Sequence, residues 1–530
     1  MANSDLSAGA RVARSATYVF IQGLASAALG VVYIVFLTRL LSPDEIGTFG
    51  VLTFVLGVVQ ILGLLSLPSA SIKYIAQFIA EGNRDKAKAA ITRVLQITII
   101  IGIAAFALIF ILSGWISSVL SNSLLVVQPS VIQVLAVASF FVVLFYQLLG
   151  FLQGLQLIRE MAALNMLYTV IQYGLGLYLV YAGYGVLGIA ISWLIALIVS
   201  NLSALPLIGK NLGILGKPGE LKPLLSFSFP IYISSIFGFL VQWVDQLFIL
   251  PFMGLAIFGM YNIANRAAVV PGLVSSAILA ALYPKLSQLY AESGKDSLEN
   301  AFTVTTRYIV LVGFPLILLV AVLAYPIMIL FAGASYAAAA FPLSLLCVAS
   351  LFGTMGVAIG PSFFTMEKTW MASLTAFASI IADALLSYVL IALLGLGMNG
   401  AATAKIIAAI AGFFLGITLL REFIKVRFDT EMLWKVSVAC VVMILALLGF
   451  DVMRQWLTSA PNSFLAFRLI LLPVYIVIGG AAYFFAIIAL GAIRRDDVEL
   501  FREYLPAKLG WTVALVERFV PNKTKKRRAC

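Results

Sequence analysis

Histidine is absent from this 530-residue chain, and cysteine almost so, with only Cys347, Cys440 and Cys530. The first absence removes imidazole acid–base catalysis, histidine ligation of haem and the common zinc sets. Three thiols so far apart in sequence suggest neither a metal cluster nor a disulfide framework. No metal site or cofactor is expected. The phosphate loop G-x-x-x-x-G-K-[ST] is missing too, which excludes ATP hydrolysis of that type. Charge is scarce, at 11% of residues, where a soluble domain carries about 25%. What is abundant is apolar: 63% of residues are hydrophobic and the mean hydropathy is +1.09. Such a chain is built for a bilayer.

Hydropathy divides the chain into fourteen apolar runs, at residues 16–38, 46–72, 94–113, 130–152, 161–182, 186–208, 226–250, 256–284, 308–330, 338–364, 370–393, 399–420, 434–450 and 466–490. They are too long for barrel strands of about 10 residues, so the fold class is an all-α integral membrane protein of about fourteen transmembrane helices. The first run follows Arg11 and Arg14 but has no A-x-A cleavage site, and reads as a retained span. With the N-terminus in the cytoplasm, all but five of the 34 Lys and Arg fall on the inner side; the exceptions are Arg39, Arg266, Lys405, Arg454 and Arg468. That bias predicts a multi-pass protein of the plasma or inner membrane with both termini cytoplasmic. It also accounts for the net charge of +12 through anionic membrane lipids, with no nucleic acid partner.

The chain repeats itself at an interval near 212 residues. GYGVLGIA from Gly183 returns as GLGMNGAA from Gly395, and Gly47 and Gly259 keep the same offset. QFIAE at Gln77–Glu81 returns as QLYAE at Gln288–Glu292, offset by 211. This predicts two six-helix lobes, residues 1–215 and 216–427. Because six is even, both enter the membrane in the same sense. Spans 13 and 14, residues 428–491, lie outside the repeat. A basic tail follows at 492–530; its segment Asp496–Val520 has apolar residues at helical spacing before KTKKRR, and is expected either to lie as an amphipathic helix on the inner leaflet or to be a disordered solvated tail. Both glycine motifs fit G-x-G-x-x-G, but each falls in an outer turn between spans. They read as tight helical hairpins, not dinucleotide sites.

Charge inside a span is costly and marks a candidate functional site. Asp245, Arg266, Asp383 and Lys405 are such charges, and subtracting 212 gives the neutral Tyr33, Phe54, Ile171 and Trp193. A scaffold requirement would recur in both lobes; confinement to one favours ligand handling over two structural ion pairs. Arg266 lies about 15 Å along its helix from the outer end, with Asn262 one turn before it on the same face and Asn265 beside it. Gln153, Gln156 and Asn165 supply weaker polar groups from the first lobe, or serve as helix glue. Arg39, at the outer end of span 1, is placed either to meet an anionic headgroup or to snorkel to the interface.

The run LTRLLSPDEIGTFGVLTFVLGVVQILGLLSLPSASIKYIAQFIAEGNRDKAK, Leu37 to Lys88, resembles the N-terminal signature of polysaccharide flippases, the O-antigen-type members of the multidrug/oligosaccharidyl-lipid/polysaccharide exporter superfamily. ALYPKLSQLYAESGKDSLENAF, Ala281 to Phe302, and LFAGASYAAAAFPLSLL, Leu330 to Leu346, are similar to later parts of that family. The resemblance implies two lobes around a central cavity, often with two added helices, and translocation of a lipid-linked oligosaccharide from the cytoplasmic to the outer leaflet by alternating access. The implied partner is a prenyl-phosphate- or prenyl-diphosphate-linked glycan, its tail in lipid along a groove of spans 13 and 14, with a coupling ion where transport is ion-driven. Lipid II flippases of the superfamily present cavity arginines, one on span 8; that correspondence reaches Arg266 only. A bidentate arginine would offset desolvation of the phosphate. Arg266, Lys405, Asn262, Asn265, Asp245, Asp383 and Arg39 form the candidate substrate-binding set, and no catalytic residues are assigned. The alternative is a cation-coupled multidrug exporter of the same fold, with Asp245 or Asp383 exchanging a cation for a cationic drug.

Overall fold

The computed structural model describes residues 2–121, 127–212, 216–275, 295–458 and 464–492, and among them helices are the only regular structure. The tail segment Asp496–Val520 and the repeat motif at Gln288–Glu292 lie outside the described residues. In chain order the helices begin with α1 (Ala2–Leu40), α2 (Pro43–Leu64), α3 (Leu67–Ala80), α4 (Arg84–Leu120) and α5 (Pro129–Gly154). Next come α6 (Ile158–Leu179), α7 (Gly185–Asn211), α8 (Lys222–Met253) and α9 (Leu255–Val269). The remainder are α10 (Lys295–Val322), α11 (Ala324–Ala332), α12 (Ala340–Gly356), α13 (Ile359–Thr365), α14 (Thr369–Ser387), α15 (Gly397–Arg421), α16 (Thr430–Thr458) and α17 (Phe464–Ala489).

Local chemistry sets several of these boundaries. In LSPDEIG, Ser42 caps α2: its hydroxyl accepts from the Glu45 amide at 3.3 Å, the Ser42 amide donates to Glu45 Oε2 at 2.9 Å, and Pro43 takes the first turn. Asn83 caps α4, accepting from the Lys86 amide at 3.1 Å. The expected span 46–72 is two helices, because Leu65 and Ser66 turn left-handed (φ 47° and 52°) just before Pro68.

Among the described residues, twelve helical stretches are long and apolar enough to cross a membrane. One of them, Ile158–Asn211, runs over two expected spans, 161–182 and 186–208. Its two legs, α6 and α7, pack against each other and reverse where Gly183 takes φ 90°. Of the expected span 256–284, α9 is 15 residues long and stops just before Pro271, helix resumes over residues 272–275, and the rest lies outside the described residues.

The repeat offset reappears in backbone geometry. Gly183 and Gly185 have positive φ (90° and 51°), and so do Gly395 and Gly397 (65° and 60°), each 212 residues on. Gln156 and Glu367, 211 apart, share the rarer left-handed conformation of a non-glycine residue, at φ 60° and 59°. Just before Gly395 lies a wide π-helical turn, Tyr388–Leu393, whereas in the first repeat the chain kinks at Gly183, within Val180–Tyr184. The π-helical turn absorbs the residue by which the offset changes. Through α6 and α14 the register is therefore 211, and the counterpart of Asp383 is Gln172, where a uniform offset of 212 had indicated Ile171.

The chain forms two compact units. The first holds Met1–Ile263, Phe331–Ala338 and Asp383–Ala401; the second holds Ala264–Leu330, Ala339–Ala382 and Ala402–Cys530. In the first unit, α4, α5 and α7 enclose a core with Phe145, Phe151, Ile189 and Leu197, while α2 and α3 pack on α8. In the second, Phe302, Phe363, Phe413 and Leu420 form an aromatic-rich core, and α16 and α17 pack on each other and on α10. Arg307 of α10 ties that end together: it pairs with Asp429 at 3.1 Å and donates to the Ala492 carbonyl at 3.1 Å.

Candidate functional site

Helices α8 and α9 form a hairpin turned at Gly254 (φ 82°), which sets residues 16 apart side by side. Two consecutive rungs cross it. The Tyr261 hydroxyl donates to Asp245 Oδ2 at 2.6 Å, and the Asn262 amide donates to Gln246 Oε1 at 2.8 Å. All four residues are buried, Asp245 completely at 0% exposure. Asp383 of α14, 3% exposed, is within electrostatic reach of the same phenol and accepts from Ser387 Oγ at 3.2 Å. One buried carboxylate thus bonds Tyr261, and a second lies in its electrostatic neighbourhood within the first unit. Removing a carboxylate from water is expensive, and a phenol donor offsets part of that cost. Among the described residues no three His, Cys, Asp or Glu side chains gather as a metal-ligating group.

The hairpin is held by an unusually close crossing of α9 with α2. Gly259 stands against Gly47, and a Cβ on Gly259 would lie 2.5 Å from the Pro43 carbonyl oxygen and 2.7 Å from Gly47 N. A Cβ on Gly47 would collide with the Leu255 carbonyl, and one on Gly50 would lie 2.7 Å from the Phe258 ring. Only glycine allows these backbones to meet.

Of the residues expected to form the site, Asp245, Asn262 and Asp383 come together in the first unit, and Asn262 is committed to Gln246. Arg39, also in that unit, is exposed one residue before the end of α1, next to Thr38, whose hydroxyl donates to the Phe331 carbonyl at 3.2 Å. Asn265 and Arg266, in the last turn of α9, and Lys405 of α15 belong to the second unit and are half-buried. The sequence reading missed Tyr261, Gln246 and Ser387. The repeat could have flagged Tyr261, since Phe49 is its counterpart at 212. In the first repeat Tyr33 and Phe49 meet edge to face at 6.3 Å, as Asp245 and Tyr261 do through a hydrogen bond in the second. The scaffold contact recurs and its chemistry does not.

Residues 36–341 match the family described as polysaccharide biosynthesis protein. A relative from Haloferax volcanii, named "Probable low-salt glycan biosynthesis flippase Agl15", is 24% identical over 441 residues, which is 83% of this chain and 90% of the relative. Among solved structures, the lipid II flippase MurJ in an inward closed conformation is similar over 88% of this chain and 97% of its own, with TM-score 0.69 and 18% identity. An inward-facing multidrug resistance MATE transporter of the MOP superfamily is similar over 75% and 96%, with TM-score 0.62 and 17% identity. The fold is that of the MurJ and MATE transporters, and with the family match spanning more than half of its length this chain belongs to the polysaccharide biosynthesis protein family.

Proposed function

We propose that this chain is a flippase, a transporter and not an enzyme, that moves a lipid-linked oligosaccharide from the cytoplasmic to the outer leaflet of the plasma membrane by alternating access. The observation that carries the reading is a set of ionisable and amide groups buried within apolar helices of a MurJ-like fold. Hydrocarbon makes such groups costly, and a substrate with a charged, hydrated headgroup gives them a use. The name of the Haloferax relative points the same way. In this reading residues 1–215 and 216–427 are the two lobes, 428–491 are added helices, the tail at 492–530 rests on anionic lipid, and both termini are cytoplasmic.

Arg266 holds the phosphate or diphosphate of a prenyl carrier, with Lys405 as a second cation, Asn265 as a donor beside it and Arg39 meeting the headgroup at the outer rim. Asn262 buttresses the stretch through Gln246. The carboxylates Asp245 and Asp383 suit a coupling cation better than an anionic headgroup, since both are buried acids. The same pair is what a cation-coupled drug exporter would use. Reconstituted in liposomes without ATP, the protein should move a fluorescent prenyl-diphosphate-linked disaccharide between leaflets and leave it chemically unchanged. Export of a cationic dye with no movement of the glycolipid would favour the exporter; cleavage or extension of the glycan would make the protein an enzyme.

A further inference from the structure

The first repeat carries a polar set of its own. Tyr146 on α5 lies in the electrostatic neighbourhood of Gln60 of α2 and Tyr173 of α6. Tyr168, one turn before Gln172 on α6, neighbours Tyr146, Tyr173 and Tyr33. The Tyr33 and Tyr173 rings stack at 4.5 Å, with Gly30 of α1 leaving room beside the Tyr173 hydroxyl. Along their helices, at 1.5 Å per residue, Tyr146 lies about 12 Å, Tyr33 about 10 Å and Tyr173 about 9 Å from the nearer end. All three lie inside helical stretches apolar and long enough to cross a membrane, where a hydroxyl without a purpose is a liability. Tyr33 is buried, whereas Gln60, Tyr146, Tyr168 and Tyr173 are half-buried and keep surface for another molecule.

The cluster carries no formal charge, while every intramembrane Asp, Arg and Lys considered above is in the second repeat. What separates it from helix glue is that it fails to recur: at offset 211 Tyr146, Tyr168 and Tyr173 become Val357, Ser379 and Ala384, none of them aromatic. Packing that the duplicated fold required would be expected twice. Neutral hydroxyl and amide groups set among aromatic faces are the chemistry that recognises a sugar ring, which offers hydroxyls at its rim and C–H bonds on its faces.

We propose that Gln60, Tyr146, Tyr168 and Tyr173 form a sugar-binding subsite that seats the glycan while charged residues of the second repeat handle the phosphate and the coupling ion. The subsite rests on the flippase reading above and adds a division of labour between the repeats. Tyr173 supplies a ring face; Tyr146 and Gln60 supply hydrogen bonds.

The test compares two probes on the full-length protein in detergent by titration calorimetry: a short-chain prenyl diphosphate, and the same lipid carrying glucose, N-acetylglucosamine or galactose. The wild type should bind at least one sugar-bearing probe about tenfold more tightly than the bare lipid, the weight of one or two hydrogen bonds. Tyr146→Phe with Gln60→Leu should abolish that preference and leave the affinity for the bare lipid unchanged, and Tyr173→Ala should do the same. Arg266→Ala should weaken both probes alike. Equal wild-type affinity for bare and sugar-bearing lipids, or a preference that survives in both variants, overturns the subsite and leaves the flippase reading standing. Failure of the wild type to bind any of the lipids removes that reading and the subsite with it. Circular dichroism and a size-exclusion profile matching the wild type establish that the variants are folded.

Discussion

Gly259 of α9 sits directly on Gly47 of α2, where a Cβ on Gly259 would be 3.1 Å from the Gly47 Cα, and the two residues are 212 positions apart. Positions separated by the repeat interval therefore touch each other. The crossing lies one turn or less from Tyr261 and Asn262, so the distance between α2 and α9 and the geometry of the buried acids are linked.

Gly259→Ala should consequently weaken the crossing, because its methyl would meet backbone atoms of Pro43 and Gly47, which cannot rotate away as a side chain could. A loss of about 1–3 kcal/mol is expected, the range for overpacking. Tryptophan fluorescence during thermal unfolding should register it, and Gly23→Ala, where a Cβ meets nothing within 4 Å, serves as the control.

Arg266→Ala should abolish glycolipid transport with membrane insertion intact. Arg266→Lys should restore part of it, since the charge returns without the planar fork that binds phosphate in two places. Full transport by the alanine variant would remove Arg266 from the substrate site.

For the acids, Asp245→Asn should eliminate any dependence of transport on the sodium or proton gradient, read as the ratio of rates with and without the gradient. Tyr261→Phe deletes the 2.6 Å hydrogen bond but keeps the ring, reproducing the Phe49 of the first repeat. Its cost should be about 1–3 kcal/mol in stability, because a buried acceptor loses its donor. A gradient ratio unchanged in Asp245→Asn would assign the carboxylate to structure.

Arg307 and Asp429, 7% and 14% exposed, make a buried ion pair. Arg307→Met leaves Asp429 without that charge, although Asp429 still caps α16 by accepting from the Met432 amide at 3.0 Å. About 3–5 kcal/mol should be lost, the usual result of breaking one side of a buried pair. The double variant Arg307→Met with Asp429→Asn should recover part of it.

Sidedness can be checked by cysteine labelling in intact cells. Ser121, at the end of α4, should react from outside, and Asp85, in the first turn of the same helix, only after permeabilisation. The reverse pattern would invert the topology.

Hydropathy alone outlined the helices, because a bilayer forces one long apolar run per crossing. The glycines marked the hairpins, because only particular backbone angles close them. What hydropathy could not show is where a helix yields inside an apolar run: Leu65 and Ser66 read as ordinary span residues and become a left-handed break. Nor did it show pairing. Asp245 stood out as a charge, yet its bond to Tyr261 depends on a hairpin that sets residues 16 apart side by side. Arg266 and Lys405 were visible for the same reason as the acids. The tyrosines of the first repeat passed unnoticed because aromatic residues are commonplace in membrane helices.

The π-helical turn Tyr388–Leu393, just before the glycines at which the repeat offset becomes 212, bears on how the duplicated halves could diverge. A residue inserted into an ordinary α-helix swings every later side chain by about 100°, so a span that faced its neighbours would present them with the wrong stripe. A wide turn takes up the extra residue locally. Here the glycines after it keep matching backbone angles, and α7 and α15 start in phase. Such turns act as expansion joints for the gene, places where one half can lengthen without scrambling its register. The halves were thereby free to acquire different chemistry on one shared frame.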